Sequence, residues 1–171
     1  MIFNDPYSVN RRYIKEIRRD IDNFLLKSSD YILSKNVNLF EKNLSKYLAT
    51  KYVVGVKNGT DALFISLKCL NINQGDEVIL PTLSATATLS AVIQVGARPV
   101  FCDIDNEFFT INEEKIERLI TKKTKAIIAV NLYGQACNYS KIIPIIRKNN
   151  ILLIEDCAQS LGSMFKNKKL G

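Results

Sequence analysis

The stretch KAIIAVNLYGQACNYSKIIPIIRKNNILLIED, residues 125–156, carries two apolar runs on either side of a helical segment. Lys125–Val130 and Ile151–Ile154 are β-rich and lack polar alternation, as strands buried on both faces do. Between them Ser140 is placed to cap a helix that runs through Arg147 despite Pro144, and the second strand ends at Glu155 and Asp156.

The same alternation extends backwards to Lys51. Tyr52–Val56 reads as a strand, Thr60–Leu70 as a helix, Glu77–Leu80 as a strand, Thr86–Val95 as a helix and Pro99–Cys102 as a strand. Asn112 is placed to cap a helix containing Ile116 and Leu119. Repeated β–α alternation implies an α/β fold with a mostly parallel sheet covered by helices on both faces. Before Lys51 the pattern is helical: Ile14, Ile17, Ile21, Phe24 and Leu25 recur at three- and four-residue steps, as do Phe40, Leu44, Tyr47 and Leu48. The expected organisation is a helical segment over 1–50 and one incomplete α/β unit over 51–171. Ser163–Leu170 reads as a small hairpin turning at Asn167 and Lys168, and Gly171 follows its second arm directly, which does not read as a natural end.

Composition narrows the chemistry. The 171 residues, 47% hydrophobic and 24% charged, suffice for one sizeable core. A net charge of +7 is spread along the chain rather than gathered in a basic stripe, so it reads as a solvated surface and not as a nucleic-acid interface. There is no histidine, which removes the Ser/His/Asp triad and His-containing zinc sites from this segment. Cys69, Cys102, Cys137 and Cys157 stand far apart without a C-x-x-C pair, as free thiols in a reducing cytosol would. No run approaches the roughly 18 apolar residues of a membrane span. A cytoplasmic protein without membrane contact is expected.

In open α/β sheets ligands bind beyond the carboxyl ends of the strands. Three such ends stand out. In Val54-Gly55-Val56-Lys57-Asn58-Gly59-Thr60-Asp61 a glycine turn opens a helix, whose free amides and dipole suit a phosphate; the same pattern also arises as a simple helix cap. Neither G-x-G-x-x-G nor G-x-x-x-x-G-K-[ST] is present, against a dinucleotide or P-loop site. In Ile154-Glu155-Asp156-Cys157-Ala158-Gln159-Ser160 a carboxylate ends a buried strand, where it calls for a cationic or donor partner. A protonated pyridine nitrogen is one such partner, and a salt-bridged or capping Asp is the structural alternative. Leu80–Thr88 is rich in small hydroxyl residues that let a flat ligand approach the backbone.

Taken together and in order, these segments resemble the DegT-type (DegT/DnrJ/EryC/StrS) sugar aminotransferases, a branch of the fold-type I pyridoxal-phosphate enzymes. The resemblance runs from Phe3-Asn4-Asp5 through Phe40-Glu41, Val54-Gly55-Val56, Asn58-Gly59-Thr60-Asp61-Ala62-Leu63, Gly75-Asp76-Glu77-Val78-Ile79, Gly96-Ala97-Arg98-Pro99-Val100-Phe101, Asp103-Ile104-Asp105 and Leu132-Tyr133-Gly134-Gln135 to Glu155-Asp156-Cys157-Ala158-Gln159-Ser160. It implies the PLP-binding large domain of that fold, incomplete at its C-terminal side, with pyridoxal 5′-phosphate as cofactor. Gly59, Thr60 and the Asp61 amide would hold the phosphate, Asp156 the pyridine nitrogen, and Gln159 would lie near the ring's phenolic oxygen. The reaction implied passes an amino group from an amino-acid donor, usually glutamate, to a nucleoside-diphosphate keto-sugar, in a homodimer when complete.

Three departures from the family pattern qualify this. Ala85 occupies the position where many members stack an aromatic ring on the cofactor. Asn131 stands before Leu132-Tyr133-Gly134 where histidine is common. The family's Ser-Phe-x-x-x-Lys stretch, which carries the Schiff-base lysine, would begin shortly after Gly171; Lys166, Lys168 and Lys169 belong to the hairpin. The 171 residues alone are therefore expected to lack transaminase activity and to be marginally stable. A sugar dehydratase of the same family, with histidine at the lysine position, and a non-catalytic split or truncated product are the alternative readings.

Overall fold

The computed structural model describes residues 5–27 and 31–171; Phe3 and Asn4 of the family-like start lie outside them. Three helices lead, α1 (Pro6–Asn10), α2 (Ile14–Lys27) and α3 (Lys35–Leu48), followed by α4 (Gly59–Cys69). Then come β1 (Glu77–Pro81), α5 (Thr86–Gln94), β2 (Arg98–Cys102), α6 (Glu113–Ile116), β3 (Thr124–Val130), α7 (Tyr139–Asn149) and β4 (Leu152–Asp156), and a hairpin of β5 (Met164–Phe165) and β6 (Lys168–Lys169) closes the chain.

The four long strands form one parallel sheet in the order β2-β1-β3-β4. Because all run the same way, Pro81, Cys102, Val130 and Asp156 end on one edge, where the loops that could bind a ligand must gather. The apolar runs have no polar alternation because both faces are covered. Val78, Leu80, Ala126, Ile128 and Val130 pack with Leu63 and Leu67 of α4 and Ala91 and Val92 of α5. Ile79, Ile127 and Ala129 point the other way, toward Ile116 of α6 and Ile142 of α7. Each fully buried Leu, Ile or Val contributes about 1.5–3 kcal/mol, so this double-faced core positions the strand ends firmly. At the opposite edge, buried Glu77 accepts hydrogen bonds from Thr121 Oγ1 at 2.6 Å and Thr124 Oγ1 at 3.4 Å, which satisfies its carboxylate far from the carboxyl ends of the strands.

Three local expectations need correction. Tyr52–Val56 forms no strand: Tyr52 and Val54 are 73% and 77% exposed, and the Gly55 N–H donates to Glu41 Oε1 at 2.7 Å instead of to a neighbouring strand. β-propensity needs a sheet edge to be realised, and none among the described residues meets this segment. The cap of α7 is Asn138, not Ser140, and its side chain donates to Glu113 Oε1 at 3.0 Å rather than capping. Pro144 sits inside α7 as expected, leaving the Ser140 carbonyl without its intrahelical donor. The hairpin turns at Lys166 and Asn167, whose φ values of 46° and 62° make the two-residue turn that matches strand twist, one residue earlier than the sequence suggested. β4 also takes in Glu155 and Asp156, which pair with Ala129 and Val130.

The hairpin is tied to α3. Lys169 Nζ donates to the Tyr47 carbonyl at 2.7 Å and lies 3.5 Å from the centre of the Tyr47 ring.

Candidate cofactor site

The N-terminus of α4 is built by Asn58. Its backbone is extended, its Oδ1 accepts from the Asp61 N–H at 2.8 Å, and its carbonyl accepts from Ala62 N–H at 3.0 Å. Among the described residues nothing accepts from the Gly59 and Thr60 amides, so these are the free donors of the helix. A side chain at position 59 would meet nothing within 4 Å, which leaves open space over the Gly59 backbone. Asp61, expected to offer its amide, already spends it on Asn58.

Asp156 is the last residue of β4. Its carbonyl accepts from Asn131 N–H at 3.0 Å and extends the ladder one residue; its Oδ1 accepts from Ala158 N–H at 3.0 Å, folding the loop back into a tight turn. The half-buried carboxylate has no cation beside it among the described residues. Gly59 and Asp156 line one cleft of about 340 Å³, walled by Ala62, Leu63, Cys157 and Ala158. The lining thus includes the opening of a helix with unpaired amides, which favours an anion, and a carboxylate-bearing residue with no cation beside it. A ligand with a phosphate at one end and a protonated ring nitrogen at the other suits both, so the residues present fit pyridoxal phosphate.

Gln159 is fixed from the neighbouring loop. Tyr133, at φ 57°, aims its N–H at Gln159 Oε1 over 3.0 Å. With its oxygen engaged, the Gln159 amide keeps its NH2 group free to donate. Ala85 stands exposed at the N-cap position of α5, makes no capping bond, and does not line the Gly59–Asp156 cleft. Beside it Ser84 and Thr88 share a hydroxyl–hydroxyl bond of 2.7 Å, and Thr82 N–H donates to the Cys102 carbonyl at 2.9 Å, so the hydroxyl-rich stretch is partly self-satisfied.

Asn131 is the residue whose part the sequence did not disclose. It is wholly buried, donates through Nδ2 to Glu155 Oε1 at 3.1 Å and Cys157 Sγ at 3.2 Å, and accepts at Oδ1 from Cys137 N–H at 2.8 Å and the Tyr139 hydroxyl at 3.0 Å. A polar residue directly after an apolar strand was the signal available. Burial raises the Cys157 thiol pKa and pushes that of Cys137 up to about 12, so neither is a thiolate nucleophile at neutral pH. Burial likewise raises the Tyr139 phenol. No cluster of three His, Cys, Asp or Glu residues that could hold a metal occurs among the described residues, and no helix there is long and apolar enough to cross a membrane. No lysine lines the Gly59–Asp156 cleft: Lys166 lies over Phe165 and Lys169 on Tyr47.

The family model described as the DegT/DnrJ/EryC1/StrS aminotransferase family matches residues 13–171. The dTDP-3-amino-3,6-dideoxy-alpha-D-galactopyranose transaminase of Aneurinibacillus thermoaerophilus is 41% identical over 99% of this chain and 46% of its own length. The crystal structure of S. venezuelae DesV superposes with a TM-score of 0.94 at 30% identity, over 98% of this chain and 45% of that one. NtdA of Bacillus subtilis, solved with bound cofactor PMP, gives 0.83 at 37% identity, over 86% of this chain and 34% of its own. The chain thus spans under half the length of these proteins. The matched family is pyridoxal-phosphate dependent, and its fold is the α/β arrangement found here. A family match over nearly every residue, together with a relative 41% identical over 99% of the chain, establishes that the chain belongs to the DegT/DnrJ/EryC1/StrS aminotransferase family.

Proposed function

We propose that this chain supplies the cofactor cup of a transaminase that moves an amino group from an amino acid, glutamate, to a nucleoside-diphosphate keto-sugar. The observation that carries the reading is the cleft lined by both Gly59 and Asp156, with the Gly59 and Thr60 amides free at the opening of α4. Pyridoxal phosphate bound there supplies an electron sink for moving a proton between carbon atoms flanking the transferred nitrogen. The chain's own residues bind and orient it. The α4 amides and the Thr60 hydroxyl hold phosphate, a helix-terminus attraction of about 0.3–2 kcal/mol. Asp156 keeps the ring nitrogen protonated, and the Gln159 NH2 group donates toward the ring's phenolic oxygen.

The proton-shuttling lysine is, in this reading, contributed from outside these 171 residues, since no lysine lines the cleft. The active unit is a homodimer in the cytoplasm; four free cysteines suit a reducing compartment. The dTDP-sugar named for the Aneurinibacillus relative supports a nucleotide-linked sugar as the substrate class.

The test is calorimetric titration with pyridoxamine 5′-phosphate, whose amine cannot condense with surface lysines. Saturable binding weakened roughly tenfold or more by Asp156→Asn is expected, the loss of a half-buried charge pair. The cofactor-loaded chain mixed with glutamate and a keto-sugar nucleotide should form no amino sugar. Binding of NADH in place of the pyridoxamine compound would overturn the assignment.

A further inference from the structure

We propose that Glu41 is a positioning residue for the phosphate end of the cofactor cleft, acting through the backbone of Gly55. This rests on the cofactor reading above, and its own evidence is separate. The segment leading into α4 has the composition of a strand but no strand beside it among the described residues, and Tyr52 and Val54 are exposed. An extended segment with no ladder has little to fix its path. Here the Gly55 N–H donates to Glu41 Oε1 at 2.7 Å, a charge-assisted bond across fourteen residues of sequence. Three residues later Asn58 caps α4, and the free Gly59 and Thr60 amides follow. The approach is close: a Cβ at position 55 would lie 3.4 Å from Glu41 Oε1 and 3.7 Å from Val37 Cγ1.

Glu41 can act as a fixed anchor because α3 is itself held. Six residues further along the helix, about 9 Å of axial rise, Tyr47 receives Lys169 on its ring and carbonyl, and its hydroxyl stands where a Cβ on Gly162 would be, 2.5 Å away. Gly162 and Lys169 belong to the segment that follows Asp156 and Gln159. One helix therefore braces both ends of the cleft, through Glu41 on the phosphate side and through Tyr47 on the side of the carboxylate loop.

The experiment compares Glu41→Ala, Glu41→Asp and Glu41→Gln with the native chain by amide hydrogen exchange and by titration with pyridoxamine 5′-phosphate and with pyridoxamine. Glu41→Asp retains the charge but is too short to reach Gly55, whereas Glu41→Gln retains the acceptor without the charge. In Ala and Asp variants the Gly55 amide should exchange at least tenfold faster while amides in β1 and β3 keep their native rates. The dissociation constant for the phosphorylated compound should rise about tenfold and that for pyridoxamine less than twofold. The Gln variant should stay within threefold of native in every readout. Unchanged Gly55 exchange in both short variants, or equal weakening of the two ligands, would overturn the proposal. If the native chain binds neither ligand, the cofactor reading fails by itself, and the exchange rates of Gly55, Gly59 and Thr60 still decide whether Glu41 fixes this turn. Should the Ala variant not fold, the Asp variant carries the same comparison.

Discussion

Asn131 Nδ2, with no exposed surface, lies 3.1 Å from Glu155 Oε1, and the Asn131 backbone N–H lies 3.0 Å from the carbonyl of Asp156. One residue at the end of β3 thus sets both the side chain before Asp156 and the backbone of Asp156 itself. The same amide oxygen collects Cys137 N–H and the Tyr139 hydroxyl. A buried network in which every member is satisfied specifies one arrangement and is costly to break.

Replacing Asn131 by Ala leaves the Cys137 amide and the Tyr139 hydroxyl without their acceptor. Each orphaned buried group costs about 1–3 kcal/mol, so a total of roughly 2–6 kcal/mol is expected. A thermal melt should fall by about 4–24 °C. Asn131→Asp keeps the shape but sets a second carboxylate against Glu155. One of the two must then bind a proton in the folded chain, with a folded pKa raised above its unfolded value. The variant's stability should be closest to native below about pH 4, the ordinary carboxylate range, and should decline as pH rises past it. Urea titrations at several pH values would show a stability gap to the native chain that does not change with pH if neither carboxylate were raised.

The thiols give a pH dependence of their own. Burial holds Cys137 at about 12 against an ordinary 9.0, and Cys102 at about 11, with the Asp103 carboxylate adding to burial there. The unfolded chain releases these protons first as pH rises. Their contribution to stability is therefore complete below about pH 9 and is lost on approaching 11 to 12. The raised Tyr139 phenol acts in the same direction. At pH 8 a pKa of 12 leaves about a thousandfold less thiolate than a pKa of 9. Exposed Cys69 should take up iodoacetamide readily in the native chain, while Cys102 and Cys137 should be labelled only after unfolding, as peptide mass spectrometry would resolve.

The strand ends were readable because burial on both faces writes itself into Ile127, Ile128 and Ile154 as unbroken apolar runs, and the helices because Leu63 and Leu67 or Ala91 and Val95 recur at helical steps. Gly59 was readable as the opening of a helix and Asp156 as the end of a strand. What sequence could not give was partnership. Tyr52–Val56 has strand composition, but composition does not tell whether an edge is present to receive it. Asp61 reads as a donor until Asn58 is seen to take its amide at 2.8 Å. Asn131 and Glu41 act on residues 24 and 14 positions away, and pairings at that range are set by the fold rather than by local pattern.

Gly162 tests the contact between α3 and the loop that follows Gln159. Its φ is +81°, and a Cβ there would meet Tyr47 Oη at 2.5 Å and two ring carbons at 3.3 Å. Gly162→Ala combines backbone strain with overpacking and should cost about 2–4 kcal/mol. Tyr47→Phe removes the nearest atom while keeping the ring for Lys169. In that background the same glycine substitution should cost about 1 kcal/mol less, a coupling read from a double-mutant cycle in urea. Strict additivity would place the strain in the backbone alone and would deny the Tyr47 contact any part in it.

Gln159 has two separable parts to play. Its Oε1 accepts from the Tyr133 N–H at 3.0 Å and holds Tyr133 at φ 57°, a conformation that a bulky residue adopts only when its surroundings impose it. Its NH2 group is the part the proposed function assigns to the cofactor's phenolic oxygen. Gln159→Ala removes both, so the Tyr133 amide should exchange about tenfold faster and the dissociation constant for pyridoxamine 5′-phosphate should rise several-fold, about 1 kcal/mol for one lost hydrogen bond. Gln159→Glu keeps an oxygen for Tyr133 but replaces the donor with a carboxylate that repels an oxyanion. It should retain native Tyr133 protection and bind the cofactor analogue less well than the Ala variant, because repulsion is worse than absence. If the Glu variant bound as tightly as native, Gln159 would be only a loop tether, and the donor to the ring oxygen would have to be sought elsewhere.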